Sequence, residues 1–271
     1  MRKLSRALVL SAVSLLAASC TLAADVRVVG SLTRELSLKP GGKAEGTILL
    51  HNDSDAAQDV RIYQTDYLFY ADGRNLYGDP GNDPRSNARW ITFTPRQVSV
   101  PPRGTSAAYY VIQAPADAAL SGTYWSMLMV EPLAEGALGP PVAEKGRVAV
   151  GVRTVLRYGI QMVTHTGEGA KRELRFLDQQ LVKKDGKRFL QMDLESTGEG
   201  SLTPLVWVEV YNAQGGSLGR FEAGRLRLYP GCSGRFRADL SDLPAGEYSA
   251  LIVADNGDEN VFGTRRTLQV D

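Results

Sequence analysis

From Gly46 to the C-terminus, apolar residues recur in short runs at alternate positions, and the three-to-four spacing of an amphipathic helix is nearly absent. The runs include Thr47-Ile48-Leu49-Leu50, Val60-Arg61-Ile62-Tyr63, Val98-Ser99-Val100, Tyr109-Tyr110-Val111-Ile112 and Tyr124 to Val130. A period of two sets one face of an extended segment against a core and the other in water. Between the runs lie Pro40-Gly41-Gly42, Asn52-Asp53-Ser54-Asp55, Ala71-Asp72-Gly73, Pro101-Pro102-Arg103-Gly104 and Ser121-Gly122, residue types that tight turns demand. Many short strands punctuated in this way predict an all-β sandwich or barrel.

A long apolar-rich stretch from Arg147 to Val163 reads as the closing strand of a first unit. Within it Val148, Val150 and Val152 share one face, and Arg153, Val155 and Arg157 share the other. The polar, glycine-bearing segment Thr164 to Ala170 reads as a linker, which places a boundary near residue 168. The second half repeats the pattern through Leu174 to Leu177, Phe189 to Leu194, Leu205 to Tyr211, Arg225 to Leu228, Phe236 to Leu240 and Tyr248 to Val253. Asp185-Gly186 between two strand patterns predicts a hairpin. Leu243-Pro244-Ala245-Gly246-Glu247-Tyr248 has a counterpart in Ala119-Leu120-Ser121-Gly122-Thr123-Tyr124, a loop followed by the aromatic entry of a late strand. The expected organisation is two tandem immunoglobulin-like β-sandwich domains, residues 24–168 and 169–271, after a leader of residues 1–23.

The leader reading rests on Arg2, Lys3 and Arg6 preceding an uncharged, largely apolar stretch from Ala7 to Ala18 and then small residues. That stretch is well short of the ~20 residues a membrane-spanning helix needs. Cleavage after Ala23 fits the small residues Thr21 and Ala23, and the mature chain would begin near Ala24. Leu16-Ala17-Ala18-Ser19-Cys20 also resembles the lipobox of bacterial lipoproteins, so Cys20 is either acylated or removed with the signal. After removal only Cys232 remains, so cores rather than a disulfide hold the fold. The net charge of +1 argues against a nucleic-acid surface and points to no charged partner.

Catalysis needs a base, a nucleophile and an orienting group within reach, and the chain has two histidines, His51 and His165, both expected in solvated or hydrogen-bonded structural roles. Gly215-Gly216-Ser217-Leu218-Gly219 fits G-x-S-x-G, but a strand is predicted after it where a hydrolase elbow needs a helix. Two acidic loops, with Asp79 and Asp83 in one and Asp255, Asp258 and Glu259 in the other, either hold calcium or serve as tight turns. No phosphate-cradling loop is present, and no cofactor is expected. The aromatics Tyr63, Tyr67, Phe69, Tyr70, Trp90, Phe93, Tyr109, Tyr110, Tyr124 and Trp125 either line a carbohydrate or peptide groove or fill cores and sheet faces. The turn-rich stretch from Tyr67 to Arg89 is the candidate surface loop of the first unit.

Thr33-Arg34, Asn52-Asp53-Ser54, Trp90-Ile91-Thr92-Phe93-Thr94-Pro95-Arg96 and Pro101-Pro102-Arg103-Gly104, in that order, resemble the periplasmic chaperones of chaperone-usher pilus assembly over roughly residues 28 to 165. The resemblance implies two sandwiches whose first lends its last strand to an incomplete pilin subunit by strand addition. Val148, Val150 and Val152 are then the donor-strand candidates, unless they pack in their own domain. The family also clamps the subunit's terminal carboxylate with one basic residue on the first strand and one on the last. This implies Arg34 as the first anchor and Arg153 or Arg157 as the second. Glu35 departs from the family, which prefers an apolar residue there, and arginine stands where its last anchor is usually lysine.

The expectation is an exported, non-enzymatic, chaperone-like protein of the periplasm or cell envelope whose partners are pilin-like or other exported subunits, with a membrane association only if Cys20 is lipidated. The alternative is a non-catalytic structural or adhesive envelope protein.

Overall fold

The computed structural model describes residues 26–133 and 156–270. Its strands up to Thr166 are β1 (Val26–Val29), β2 (Thr33–Ser37), β3 (Lys43–Asn52), β4 (Gln58–Phe69), β5 (Asn75–Gly78), β6 (Ile91–Thr94), β7 (Gln97–Val100), β8 (Thr105–Gln113), β9 (Gly122–Pro132) and β10 (Tyr158–Thr166). They form one sheet ordered β1-β3-β8-β6 and another ordered β2-β10-β9-β4-β5, with β7 also paired to β4. The strands from Leu174 onward are β11 (Leu174–Lys184), β12 (Lys187–Ser196), β13 (Leu205–Tyr211), β14 (Ser217–Arg225), β15 (Ser233–Asp239), β16 (Gly246–Asp255) and β17 (Val261–Val270). They form the sheets β11-β12-β15 and β14-β13-β16-β17. The chain is therefore all-β, in two tandem sandwiches, as the alternating pattern predicts.

Each sandwich closes over the apolar faces of its own strands. Ile48, Leu50, Ile62, Ile112, Leu128, Ile160 and Met162 meet between the first two sheets, and Leu190, Met192, Leu194, Val206, Val208, Val210 and Ile252 between the second two. The Asp185-Gly186 hairpin is present: both residues have positive φ, 51° and 76°, and Lys184 pairs with Lys187 across them. That is the turn whose twist matches its strands, and its second position suits glycine. Gly122 and Gly246 open β9 and β16, so the two loop-then-aromatic motifs occupy equivalent places. Ser217 starts a strand, not a helix, so the G-x-S-x-G match is part of a hairpin.

Two strands of the first sandwich differ from the sequence reading. β1 pairs antiparallel with β3 in one sheet, and after Gly30 the chain crosses over so that β2 pairs in parallel with β10 in the other. β10 itself runs to Thr166, taking Thr164, His165 and Thr166 out of the expected linker. These polar residues tolerate a sheet because most have partners there: the Thr164 hydroxyl accepts from Asn87 Nδ2 at 3.0 Å, and His165 lies between Thr123 and Glu35. The expected strand begins at Arg147, but residues 147–155, including Val148, Val150, Val152 and Arg153, lie outside the described residues, as does Cys20.

Candidate partner-binding site

β10 is flanked by β9 along its whole length, Tyr158 pairing with Val130 and Thr166 with Gly122. On its other side β2 covers only part of it, from Gln161 beside Thr33 to His165 beside Ser37. Among the described residues, the outer edge of Tyr158, Gly159 and Ile160 has no strand beside it. The direction of the free backbone groups follows from two hydrogen bonds on the covered part. Gln161 N donates to Leu32 O at 2.8 Å, and Leu38 N donates to His165 O at 2.9 Å, so the odd-numbered residues of β10 turn their amides and carbonyls toward β2. Backbone orientation alternates along a strand, which aims the N–H and C=O of Gly159 at the open edge. Such an edge is a template for a further strand.

The side chains of β10 divide by face. Ile160 and Met162 are fully buried in the first core, whereas Val163 belongs to a separate cluster with Trp125, Tyr229 and Cys232 between the sandwiches. This cluster is the apolar part of a wider junction. Tyr229 donates from its hydroxyl to Gln161 Oε1 at 2.6 Å, Ala71 N donates to Ser233 Oγ at 3.0 Å, and Thr123 N donates to Glu199 O at 2.9 Å. Burial pushes the Tyr229 hydroxyl up to about 12 and the Cys232 thiol up to about 11, so both are neutral near pH 7.

Beside this cluster Glu35 of β2 meets His165 Nε2 at 2.7 Å and Arg227 at 2.8 Å. Burial pushes the Glu35 carboxyl up, but hydrogen bonds from His165 and Arg227 and the arginine's charge outweigh it and hold the carboxyl below its ordinary value. Thr123 Oγ1 lies 3.0 Å from His165 Nδ1 and accepts from Ser201 N at 2.9 Å. The row threonine, histidine, glutamate has the order of a hydrolytic relay, yet Thr123 is 1% exposed and its oxygen is engaged by both Ser201 N and His165. The row ties the two sandwiches together. It borders a polar cleft of about 840 Å3 lined by Glu35, Thr123, His165, Lys171, Ser201 and Asn256 among others.

The cations expected to act as anchors are placed as follows. Arg34 sits beside Met162 in the β2–β10 register, its Nε is buried without a hydrogen-bond partner, and it makes no ion pair among the described residues. Arg157 immediately precedes β10, with Nη1 3.4 Å from the Tyr63 hydroxyl. Five residues of strand, roughly 16 Å, separate the two positions, so the structure does not bring Arg34 and Arg157 together.

His51 is bonded to Thr105 at 3.1 Å and lies 3.2 Å from Asp53. The acidic loops are used as turns: Asp83 accepts from Arg85 N, Asp255 from Gly257 N, and Asp258 from both Asn256 and Asn260. Among the described residues no three metal-ligating side chains cluster. The sequence does not signal Arg227 and Tyr229 or the roles of Glu35 and Thr123, because these residues meet only through the junction.

No protein-family model matches the chain, and no curated protein does. Among solved structures it is similar to a chaperone of CFA/I fimbriae studied with its tip adhesin, at 12% identity over 92% of this chain and 100% of that one, with a TM-score of 0.49. It is similar to the class 5 fimbriae chaperone CfaA, at 11% identity, 89% and 98% coverage and a TM-score of 0.49. A third is the CsuC–CsuE chaperone and tip subunit pre-assembly complex from the archaic chaperone-usher Csu pili of Acinetobacter baumannii, at 12% identity, 89% and 98% coverage and a TM-score of 0.43.

Proposed function

We propose that this chain is a periplasmic chaperone-like protein, not an enzyme, that binds fimbrial or other exported subunits by accepting them as an added strand on the outer edge of β10. The observation that carries this reading is the stretch from Tyr158 to Ile160, uncovered among the described residues, with the amide and carbonyl of Gly159 directed outward. An added strand gains backbone hydrogen bonds there, while side chains at alternate positions supply selectivity. Val148, Val150 and Val152 extend the apolar alternation upstream in the sequence and are the proposed donor-strand residues, with Arg153 among them. Arg34, a cation with a buried, unpartnered Nε beside the covered half of β10, is the proposed anchor for a partner carboxylate. The junction supports the same reading, because a strand held rigidly from behind loses little freedom on binding.

Substitution at Gly159 separates the backbone edge from everything else. Proline removes the outward N–H, and alanine keeps it while adding the same Cβ, whose nearest neighbours are the flexible side chains of Met127 and Met129, which accommodate it by moving. The tagged protein, captured from periplasm, is expected to bring down an exported subunit as wild type and as Gly159→Ala, and to lose it as Gly159→Pro. Arg34→Ala and Arg153→Ala are expected to weaken capture. Equal capture by Gly159→Pro and Gly159→Ala, or no subunit with wild type, overturns the proposal.

A further inference from the structure

On the outward face of the sheet β2-β10-β9-β4-β5, aromatic and thioether side chains gather where the outer face of a sandwich is ordinarily polar. Tyr63, Thr65 and Tyr67 of β4 share this face with Met127 and Met129 of β9, Tyr63 pairing with Met129 and Thr65 with Met127. Gly159 of β10 leaves room for both thioethers, and a Cβ there would lie 2.9 Å from Met127 Sδ. Tyr77 of β5 packs on Tyr67 with ring centroids 5.3 Å apart and remains 58% exposed; its neighbour Leu76 is 44% exposed. Between them is a hollow of about 430 Å3 whose lining includes Tyr63, Tyr77, Pro80, Met129, Asp79 and Arg157. Its size and its mix of aromatic, thioether and polar walls are those of a ligand site, and methionine walls adapt to differently shaped apolar side chains.

One end of the hollow is flanked by two cations. Arg61 and Arg157 both approach Tyr63, Arg61 stacking 4.9 Å above its ring and Arg157 reaching its hydroxyl. Arg61 holds Glu131 at 2.8 Å, and Asp79, which also lines the hollow, lies within 4 Å of no cation among the described residues. Arg157 therefore has no carboxylate of its own among the described residues. We infer that this hollow is a docking site for a polypeptide segment that inserts an aromatic or methionine side chain between Tyr63, Tyr77 and Met129 and presents a neighbouring carboxylate to Arg157. The aromatic end of the site, on β4 and β5, is about three to four strand spacings, ~14–19 Å, from where a strand added to β10 would lie, whereas its Arg157 end borders β10.

The test titrates the full chain with two capped peptides, acetyl-Gly-Phe-Glu-Gly-amide and acetyl-Gly-Phe-Lys-Gly-amide, followed by amide NMR shifts. The glutamate peptide is expected to saturate with shifts centred on Tyr63, Tyr77 and Met129, at least fivefold tighter than the lysine peptide. Tyr77→Ala, at an exposed position that leaves the fold intact, is expected to weaken both at least fivefold. Arg157→Gln is expected to remove the preference for glutamate while keeping the phenylalanine contact. Absence of saturable binding at millimolar peptide, shifts elsewhere, or indifference to Tyr77→Ala overturns the inference. Arg34→Ala, on β2 and outside the hollow, is expected to leave peptide binding within twofold of wild type, so failure of the proposed strand-edge anchor and failure of this site read out separately.

Discussion

Trp125 and Tyr229 stack across the junction of the two sandwiches, their ring centroids 4.7 Å apart and their planes inclined by 14°. Trp125 is fixed from behind by a 2.6 Å hydrogen bond from its Nε1 to Tyr67 O, and Tyr229 by its hydroxyl on Gln161. The pair thus links β9 and β10, which present the candidate edge, to the second sandwich. Tyr229→Ala removes a nearly fully buried ring and is expected to destabilise the protein by about 3–5 kcal/mol. Tyr229→Phe keeps the stack, loses the bond to Gln161 and is expected to cost about 0.5–1.5 kcal/mol. Urea unfolding of both variants checks the order and the sizes.

The ion pairs at Glu35 make the junction sensitive to acid. Because the folded carboxyl is held below its unfolded value, the stabilisation is complete above the unfolded value near 4.5 and is lost as pH falls through the folded one. The group is 38% exposed, which limits its contribution through solvent screening to about 1 kcal/mol or less. Glu35→Gln is therefore expected to be less stable than wild type at pH 7 and to show a shallower loss of stability below pH 5. Denaturant midpoints measured from pH 3 to pH 7 decide this, and parallel acid limbs for the two proteins would remove Glu35 from the account.

Asp66 organises the turn-rich loop of the first sandwich. Its buried carboxylate accepts from the backbone amides of Gly81, Asn82 and Asp83 at 2.8–2.9 Å and from the hydroxyl of Ser86. The loop it holds carries Arg85, which donates to Ser121 O at 2.7 Å and reaches Glu199 of the second sandwich at 3.6 Å. Asp66→Ala leaves several amides without an acceptor and is expected to cost about 3 kcal/mol or more. Hydrogen exchange at residues 81–83 is expected to accelerate beyond what the global loss of stability explains. Unchanged protection of those amides would place their hold elsewhere.

How far the sequence discloses this structure depends on how local each interaction is. Alternation in Val60 to Tyr63 or Leu205 to Tyr211 reports a strand face directly, and Asp185-Gly186 reports its own turn. The end of β10 does not. Thr164, His165 and Thr166 look like linker because the groups that make a polar strand tolerable, Asn87, Thr123 and Glu35, come from three distant segments. Glu35 departs from the resemblance for a related reason: its partner Arg227 lies in the other sandwich. Arg34 was singled out by a Thr-Arg pair, whereas its parallel placement beside Met162 follows from the chain crossing between sheets after Gly30, which no local pattern signals.

Cys232 offers a direct probe of whether the junction opens. Its thiol is fully buried against Trp125, Val163 and Tyr229, and burial raises it to about 11, so both access and thiolate formation are suppressed in the closed state. In a Cys20→Ser background, alkylation by iodoacetamide at pH 8 is expected to be at least a hundredfold slower in the native protein than in urea. If the sandwiches part without unfolding, Tyr229→Ala accelerates labelling far more than its loss of global stability requires, because the ring that covers the sulfur is gone and its hold on β10 with it. If the junction opens only with the whole fold, labelling follows the unfolded fraction in every variant. The two cases are distinguished by plotting labelling rate against unfolding free energy for Tyr229→Ala, Tyr229→Phe and Asp66→Ala. The expected result is that Asp66→Ala falls on the global line and Tyr229→Ala lies well above it.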